Sequence, residues 1–177
     1  MKNNNKQVFV LMGVSGSGKS TIARQLAYDL DIAYLDGDFL HPKANILKMG
    51  SCIPLNDEDR MPWLKLINQA AFAMSNVSPI SLIICSALTQ NYRNVIRDGN
   101  DNIYFIYLKG GFETIQERLN KRQGHYQKTN MLQSQFNTLE EPSIDEKDIF
   151  VVDIEQPLAK VIADTKSIIC HVCQISE

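Results

Sequence analysis

The sequence of 177 residues lacks any apolar run long enough to cross a bilayer. One of its longest apolar stretches, residues 80–85, is far shorter than the roughly 20 residues that a membrane-spanning helix needs. The first seven residues are polar and lack the apolar segment of a signal peptide. These absences predict a cytoplasmic protein that does not associate with membranes.

An excess of charge of one sign is also lacking, since 18 Lys and Arg face 20 Asp and Glu, for a net charge of −2. Such a balance gives no overall attraction to nucleic acid, and we expect no such partner. Cysteine is scarce, and Cys170 and Cys173 have no second Cys/His pair nearby, so their spacing is more often incidental than metal-binding. Without repeats or a long linker, the chain is predicted to form a single domain over residues 1–177.

One glycine-rich stretch stands out, because residues 13–20 read GVSGSGKS and fit the P-loop pattern G-x-x-x-x-G-K-[ST]. An apolar run at residues 8–12 precedes it and is typical of a buried strand. Ile22, Leu26 and Leu30 follow at helical spacing. Strand, glycine loop and helix together are the setting in which this pattern binds phosphate.

The residue types suit a triphosphate. Glycines without a Cβ adopt positive φ and let backbone N–H groups approach crowded phosphate oxygens, and a helix N-terminus adds its positive dipole end. Lys19 is expected to reach the β- and γ-phosphates, and the Ser20 hydroxyl is expected to ligate Mg²⁺. The predicted ATP-binding residues of this stretch are Gly13, Ser15, Gly16, Ser17, Gly18, Lys19, Ser20 and Thr21.

Strand and helix patterns alternate along the rest of the chain, which predicts an α/β fold with a parallel sheet covered by helices on both faces. Asp57 is the expected N-cap of one helix, Gly99 the end of another, and Pro157 the start of the last. Residues 123–142 are polar and weakly periodic and are expected to be irregular. The predicted strands cover residues 8–12, 33–35, 81–85, 102–108 and 149–153.

Asp36 and Asp38, separated by one glycine, follow the second predicted strand. On a strand end, the two carboxylates would point the same way, towards the phosphate site. One of them would serve Mg²⁺ through its water shell, and the other would orient or deprotonate a hydroxyl. A solvated turn is the alternative interpretation, but the nearby P-loop favours function.

Further cations are candidates for gripping anions. Arg60 lies at a helix start, where the dipole disfavours it, so we expect it to bind an anionic substrate rather than only to pair with Asp57 or Asp59. Arg118 and Arg122 share a helix face, and with His125 they predict a lid that closes over the phosphates, against the alternative of a solvated basic face. No guanine-recognition pattern Asn-Lys-x-Asp occurs, which favours an organic hydroxyl acceptor over a GTPase.

At these residues the chain resembles the thermoresistant gluconokinase family of small P-loop kinases, from about residue 8 to residue 165. The matching stretches beyond the P-loop are specific and are spread along the chain. They include LDGDFLHP at residues 35–42, PLND at 54–57, DR at 59–60, PWL at 62–64, CSAL at 85–88 and FIYLKG at 105–110.

The resemblance implies an adenylate-kinase-like three-layer fold with five parallel strands and a helical lid at about residues 122–140. It implies transfer of the ATP γ-phosphate to the 6-hydroxyl of D-gluconate, and a homodimer. It implies catalytic roles for Lys19, Asp38 and Arg122, with Asp36 beside Ser20 as a metal ligand. The implied sugar-acid ligands are Asp38, His41, Arg60 and His125, and the implied ATP ligands beyond the P-loop are Arg118, Arg122, Gln156 and Pro157.

Three positions depart from the family. Thr89 and Gln90 stand where a lysine commonly follows the CSAL stretch, and Asn94 replaces an acidic residue. Loss of a cation leaves two alternatives open. One is a kinase with another acceptor, such as another sugar acid, shikimate or a nucleoside monophosphate. The other is an ATP-binding regulatory module without turnover.

Overall fold

The computed structural model of the protein describes residues 6–121 and 128–175, the side chains at 128 and 129 excepted. None of the helices in these ranges is long and apolar enough to cross a bilayer. The strands are β1 (Gln7–Met12), β2 (Ala33–Asp36), β3 (Ile80–Ile84), β4 (Ile103–Lys109) and β5 (Ile149–Asp153). The α-helices are α1 (Lys19–Leu30), α2 (Lys43–Gly50), α3 (Asp57–Val77), α4 (Gln90–Arg97), α5 (Phe112–Lys121), α6 (Lys128–Thr138) and α7 (Leu158–Cys173).

The five strands form one sheet in the order β2-β3-β1-β4-β5, and every neighbouring pair is parallel. At the centre of the sheet, Val10 of β1 pairs with Ile83 of β3 on one side and with Phe105 of β4 on the other. The predicted parallel α/β sheet is therefore confirmed, and each predicted strand lies within one or two residues of an observed one.

Helices cover both faces of the sheet, so alternate residues of β1 enter two separate cores. Phe9 and Leu11 pack with residues of α1, α5, α6 and α7, whereas Val8, Val10 and Met12 pack with residues of α3 and α4. All five of these β1 side chains are fully buried. A strand buried on both faces reads as a continuous apolar run, which explains why the sequence predicted it clearly.

Two sequence predictions about helices need correction. The N-cap of α3 is Asn56 rather than Asp57, since the Asn56 side chain accepts from the N–H of Asp59 and the Asp59 carboxylate accepts from the N–H of Asn56. This reciprocal arrangement satisfies two backbone donors at once. Residues expected to be irregular include α6, which is stabilised by tertiary contacts: Leu132 is buried, and the ring of Phe136 packs edge-on against Phe112 at 5.4 Å.

A buried ion pair ties α4 to the segment before β5. The guanidinium of Arg93, in α4, is completely buried and donates to both carboxylate oxygens of Glu146, at 2.8 and 2.6 Å. Its Nη1 also donates to the carbonyl of Glu140 at 3.2 Å and reaches the carbonyl of Ala87 at 3.3 Å. Because Arg93 always carries its charge, Glu146 must stay ionised to keep the cluster neutral.

We predict that this pair makes folding stability sensitive to acid. The Arg93 bonds lower the pKa of Glu146 from 4.5 to about 2. Ionised Glu146 therefore contributes stability that is fully present above pH 4.5 and is lost as the pH falls towards 2. Urea unfolding followed by circular dichroism between pH 7 and pH 3 should show a steep decline in the free energy of unfolding.

The variant Glu146→Gln should be less stable at neutral pH and should show a shallower decline, because its side chain has no proton to gain. Glu141→Gln is the matched control: Glu141 pairs with Lys109 at 2.9 Å outside this cluster, and its side chain is 54% exposed. We expect this control to cost only about 1 kcal/mol. An identical pH dependence in wild type and Glu146→Gln would show that the buried pair is not the source.

Candidate active site

The candidate site lies where the strand order reverses. β1 has β3 on one side and β4 on the other, and the chain leaves β1 through the glycine-rich loop at residues 13–18. Ligands of open α/β sheets bind in the crevice at this point, beyond the carboxyl ends of the strands. A cleft of about 470 Å³ opens there and is lined from the P-loop, the turn after β2, the loop before α3, the end of β3, and α6.

The glycines of the P-loop adopt the positive φ that the sequence predicts. Gly13, Gly16 and Gly18 have φ of 138°, 85° and 99°. A Cβ on Gly13 would lie 2.9 Å from the carbonyl oxygen of Leu108, and one on Gly16 would lie 2.9 Å from a side-chain carbon of Leu119. The loop is therefore held tightly against β4 and α5 in a conformation that only glycine allows at these points.

The groups around the loop suit a bound anion. Helix α1 begins at Lys19 without a side-chain cap and without an acidic residue in its first turn, so its positive end is not neutralised locally. In the part of the chain that the structure describes, the buried Ser17 hydroxyl has no hydrogen-bond partner. A glycine-lined concavity with an unneutralised helix terminus and an unpartnered donor fits a phosphate group.

Lys19 is oriented by the loop itself. Its Nζ donates to the carbonyls of Gly13 and Val14 at 2.8 and 2.9 Å. Burial lowers the pKa of Lys19 to about 8, although the Asp38 and Asp36 carboxylates oppose this shift. The ammonium is thus held at the mouth of the loop, in surroundings where an anionic ligand would stabilise its charge.

The two aspartates after β2 do not share one strand face, contrary to the sequence prediction. Asp36 ends β2 and caps a 3₁₀ turn, where its carboxylate accepts from the N–H of Asp38 at 3.1 Å. Asp38 lies within that turn, lines the cleft, and has a side chain that is 81% exposed. Because the chain leaves the strand at Gly37, strand alternation no longer applies, and Asp38 rather than Asp36 is part of the cleft lining, although the charge of Asp36 still acts on Lys19.

Trp63 of α3 fixes this turn in place. Its indole N–H donates to the carbonyl of Gly37 at 2.7 Å, and its ring stacks on His41 at 4.1 Å. A Cβ on Gly37 would lie 2.4 Å from the carbonyl oxygen of Ile84, so glycine is required for the close approach to β3. These contacts hold His41 and Asp38 on the same wall of the cleft.

Arg60 lines the same cleft, and neither neighbouring carboxylate pairs with it. Asp59 is bonded to Lys48 at 2.6 Å, and Asp57 accepts from the Tyr92 hydroxyl. The Arg60 guanidinium donates to that hydroxyl at 3.2 Å and lies over the Tyr92 ring, 5.7 Å from its centroid. The predicted alternative, a surface ion pair with Asp57 or Asp59, is therefore not what the structure contains.

The cleft also contains residues to which the sequence analysis assigned no role. Gln135 of α6 accepts a hydrogen bond from the backbone N–H of Ser15 at 2.6 Å, so α6 contacts a predicted phosphate-binding amide. Other such residues are Arg24, Met49, Ile53, Leu55, Met131 and Ser134. The weak periodicity of residues 123–142 gave no signal for those on α6, because their placement depends on tertiary packing.

A second cavity of about 410 Å³ lies on the other side of the P-loop, between α5 and the start of α7, and Arg118 lines it. The Arg118 guanidinium donates to the carbonyl of Ile154 at 2.6 Å. The Gln156 side chain donates to the carboxylate of Asp164 at 2.8 Å, and Pro157 is the N-cap of α7. Arg122 and His125, predicted to lie in the lid, fall outside the described residues.

Comparisons with known proteins agree with this geometry. The shikimate kinase family model matches residues 15–169. The chain is 56% identical to the thermoresistant gluconokinase of Escherichia coli K12 over 167 residues, covering 94% of this chain and 95% of the relative. It is 42% identical to the thermosensitive gluconokinase of the same organism over 166 residues, covering 94% and 89% of the two chains.

A crystal structure of a gluconokinase from Sinorhizobium meliloti 1021 superposes with a TM-score of 0.86 at 35% identity, covering 96% of this chain and 94% of that one. In each comparison the match spans nearly the whole of both chains. The P-loop and the turn after β2, which line the cleft, lie in sequence segments that carry the resemblance. The chain therefore belongs to the gluconokinase family of ATP-dependent P-loop kinases, which transfer a phosphate to an alcohol group.

Proposed function

We propose that this kinase transfers the γ-phosphate of ATP to the 6-hydroxyl of D-gluconate, giving 6-phospho-D-gluconate and ADP. One observation carries the proposal: Lys19, Asp38, His41 and Arg60 line a single cleft. Arg60 offers its guanidinium there without a competing carboxylate from Asp57 or Asp59, which suits the acid group of a sugar acid. The names of the relatives described above support the same substrate.

The residues of the chain would divide the reaction among them. The P-loop amides and Lys19 would hold the β- and γ-phosphates and offset the charge of the transferring phosphoryl group. Mg²⁺, held by Ser20 and through water by Asp36, would supply further charge neutralisation when bound. Asp38 would orient the acceptor hydroxyl and take its proton.

The remaining predicted ligands fit around this centre as further proposals. His41, with Arg60, would hold the sugar acid, and Arg118 would contact ATP from the second cavity. Gln156 and Pro157, at the start of α7, would lie beside the adenine. Arg122 and His125 would reach the phosphates from the lid at residues 122–140, and Arg122 would complete the catalytic set.

We also propose that residues 1–177 act as one domain, in the cytoplasm, as a homodimer. The family resemblance supports the dimer, and the continuous sheet with two cores supports a single domain. Light scattering of the purified chain would give the mass in solution, and a monomeric mass would remove the dimer without affecting the proposed reaction.

The departures from the family have local structural explanations, so they do not favour a different function. Thr89 caps α4 by accepting from the N–H of Tyr92 at 3.1 Å, and Asn94 accepts from Arg97 at 2.6 Å. Arg93 is completely buried in its pair with Glu146, so it cannot serve a second phosphate-binding site. A nucleoside monophosphate acceptor is therefore less well matched than a sugar acid, and a regulatory module without turnover draws no support from Thr89.

The direct test is a panel of acceptors with ATP and Mg²⁺. ADP release, followed by a coupled assay, should depend on D-gluconate and should be weak with D-glucitol and AMP, because neither offers a carboxylate for Arg60 together with a hydroxyl for Asp38. Faster ADP release with shikimate, which carries both groups, would favour the alternative acceptor over D-gluconate. Phosphorus NMR should identify the product as the 6-phosphate. Intact ATP binding with no gluconate-dependent ADP release would refute the proposed function.

We predict that Lys19→Ala lowers kcat/KM for ATP by at least about 100-fold, because the transferring phosphoryl group loses its nearest fixed cation. Steady-state kinetics measure this loss. Lys65→Ala is the control, since Lys65 is an exposed lysine of α3 that does not line the cleft, and its loss should leave kcat/KM for ATP unchanged. Near-normal turnover in Lys19→Ala would contradict the proposed phosphate site.

We predict that Arg60→Ala raises KM for D-gluconate roughly 10- to 100-fold, because the carboxylate loses a charge-assisted partner. KM for ATP should stay unchanged, and so should the inhibition constant of neutral D-glucitol measured as a competitor of D-gluconate. Lys65→Ala removes an exposed cation from the same helix and is the matched control. If Arg60→Ala weakened the binding of D-gluconate and of D-glucitol equally, Arg60 would not be the carboxylate ligand.

A further inference from the structure

Asn45 is a buried amide on a helix that is otherwise largely open to solvent. Asn45 is only 3% exposed, whereas the other residues of α2 are partly or largely exposed. Burying an amide costs free energy unless its donors find partners. The partners of Asn45 therefore indicate what its burial achieves.

Both contacts of Asn45 involve its Nδ2. One lies at 2.8 Å from the backbone carbonyl oxygen of Asp59, and the other at 3.3 Å from Nδ1 of His41. A carbonyl oxygen only accepts, so it fixes which end of the Asn45 amide faces it. The opposite orientation would place two oxygens 2.8 Å apart. The Asp59 carbonyl thus directs an N–H of Asn45 at His41.

The carbonyl that sets this orientation is itself firmly held. Asp59 lies in the first turn of α3, where its side chain accepts from the N–H of Asn56 at 2.9 Å and from Lys48 of α2 at 2.6 Å. Arg60 is the next residue along the chain and lines the cleft. The start of α3 therefore links the Asn45 amide to the wall that carries the proposed sugar-acid site.

His41 receives this hydrogen bond in a fixed ring position. Its ring is stacked on Trp63 with an angle of 17° between the planes, and its side chain is only 5% exposed. If Nδ1 accepts from Asn45, a neutral imidazole must carry its proton on Nε2. Nε2 is the ring atom that lies 3.9 Å from the Asp38 carboxylate, at the edge of the cleft.

The charged groups that face His41 are Asp38 from the 3₁₀ turn and Arg60 from α3. Burial is the largest influence and lowers the pKa of His41, Arg60 lowers it further, and Asp38 opposes them. A neutral ring at physiological pH is consistent with an Nδ1 that accepts rather than donates.

We infer that Asn45 is a positioning residue that holds His41 as the Nε2–H tautomer, so that this N–H donates a hydrogen bond to an oxygen of the substrate beside Asp38. That this oxygen belongs to the sugar acid rests on the proposed function, whereas the tautomer rests only on the geometry of Asn45, Asp59 and His41. Asn45 itself need not touch the substrate, because it acts through the ring that it orients.

The tautomer is measurable without turnover. The chain has three histidines, so a spectrum of protein with ¹⁵N-labelled histidine is simple, and its His41 signals are those missing from His41→Gln. Wild type at neutral pH should show an unprotonated Nδ1 and a protonated Nε2. In Asn45→Asp, a carboxylate replaces the donor, so Nδ1 should gain a proton and His41 should stay charged to higher pH. An Nδ1–H tautomer in wild type, or an unchanged tautomer in Asn45→Asp, would overturn the inference.

Kinetics then separate positioning from simple stability. Asn45→Leu should lower kcat/KM for D-gluconate roughly tenfold without changing KM for ATP. It should have no further effect in the His41→Gln background, because an amide side chain has no tautomer to select. Asn68→Leu is the matched control: like Asn45, Asn68 uses its Nδ2 for two hydrogen bonds, here to the carbonyls of Ile96 and Asp98 at 2.9 and 2.7 Å and away from the cleft.

An equal loss on Asn45→Leu in both backgrounds would mean that Asn45 is only structural, and the inference would fall. A protein with no D-gluconate-dependent turnover but with the expected spectra would lose the proposed function, and the tautomer assignment would stand. The two failures are therefore distinguishable in one set of variants.

Discussion

The candidate site depends on how the glycine loop after β1 holds the ammonium group of Lys19. Lys19 donates to the loop carbonyls of Gly13 and Val14, while burial lowers the pKa of Lys19 to about 8. Such a cation is stabilised by an incoming anion, and the uncapped start of α1 adds to the attraction. The loop holds this conformation because β1 lies at the centre of the sheet, with helices packed on both faces. The phosphate chemistry is therefore built on the most buried strand of the fold.

The wall of the cleft that carries Asp38 and His41 is positioned by contacts among three elements that are separate in the chain. Trp63 of α3 holds the turn after β2 through the Gly37 carbonyl, and its ring orients His41. Asn45 of α2 connects His41 to the start of α3. Each link uses a donor or ring that is mostly buried, so the wall gains rigidity without offering competing charges to a ligand. Asp38 lies exposed on this wall, in the same cleft as Lys19.

The far wall is assembled from α6, which contacts the P-loop through Gln135 and Ser15. Its C-terminal end is anchored where Arg93 binds the Glu140 carbonyl and the buried Glu146 carboxylate. Gln135 lies on the C-terminal side of α6 and Glu140 just beyond its end, so the contact with the Ser15 amide lies close to the point where the buried ion pair anchors the chain. The same pair accounts for the expected loss of stability in acid.

The sequence by itself determined the P-loop, the five parallel strands and most of the helices, because glycine spacing and apolar periodicity reflect local geometry. It also identified the residues that line the cleft from the P-loop and the turn after β2. It did not determine α6, the Asn56 cap, the separate orientations of Asp36 and Asp38, or the burial of Arg93 and Asn45. Those features arise from partners distant in the chain, such as Glu146 for Arg93 and the Asp59 carbonyl for Asn45. Only the tertiary structure decides them, because a polar side chain becomes a buried, oriented group only when folding brings its partner within hydrogen-bond distance.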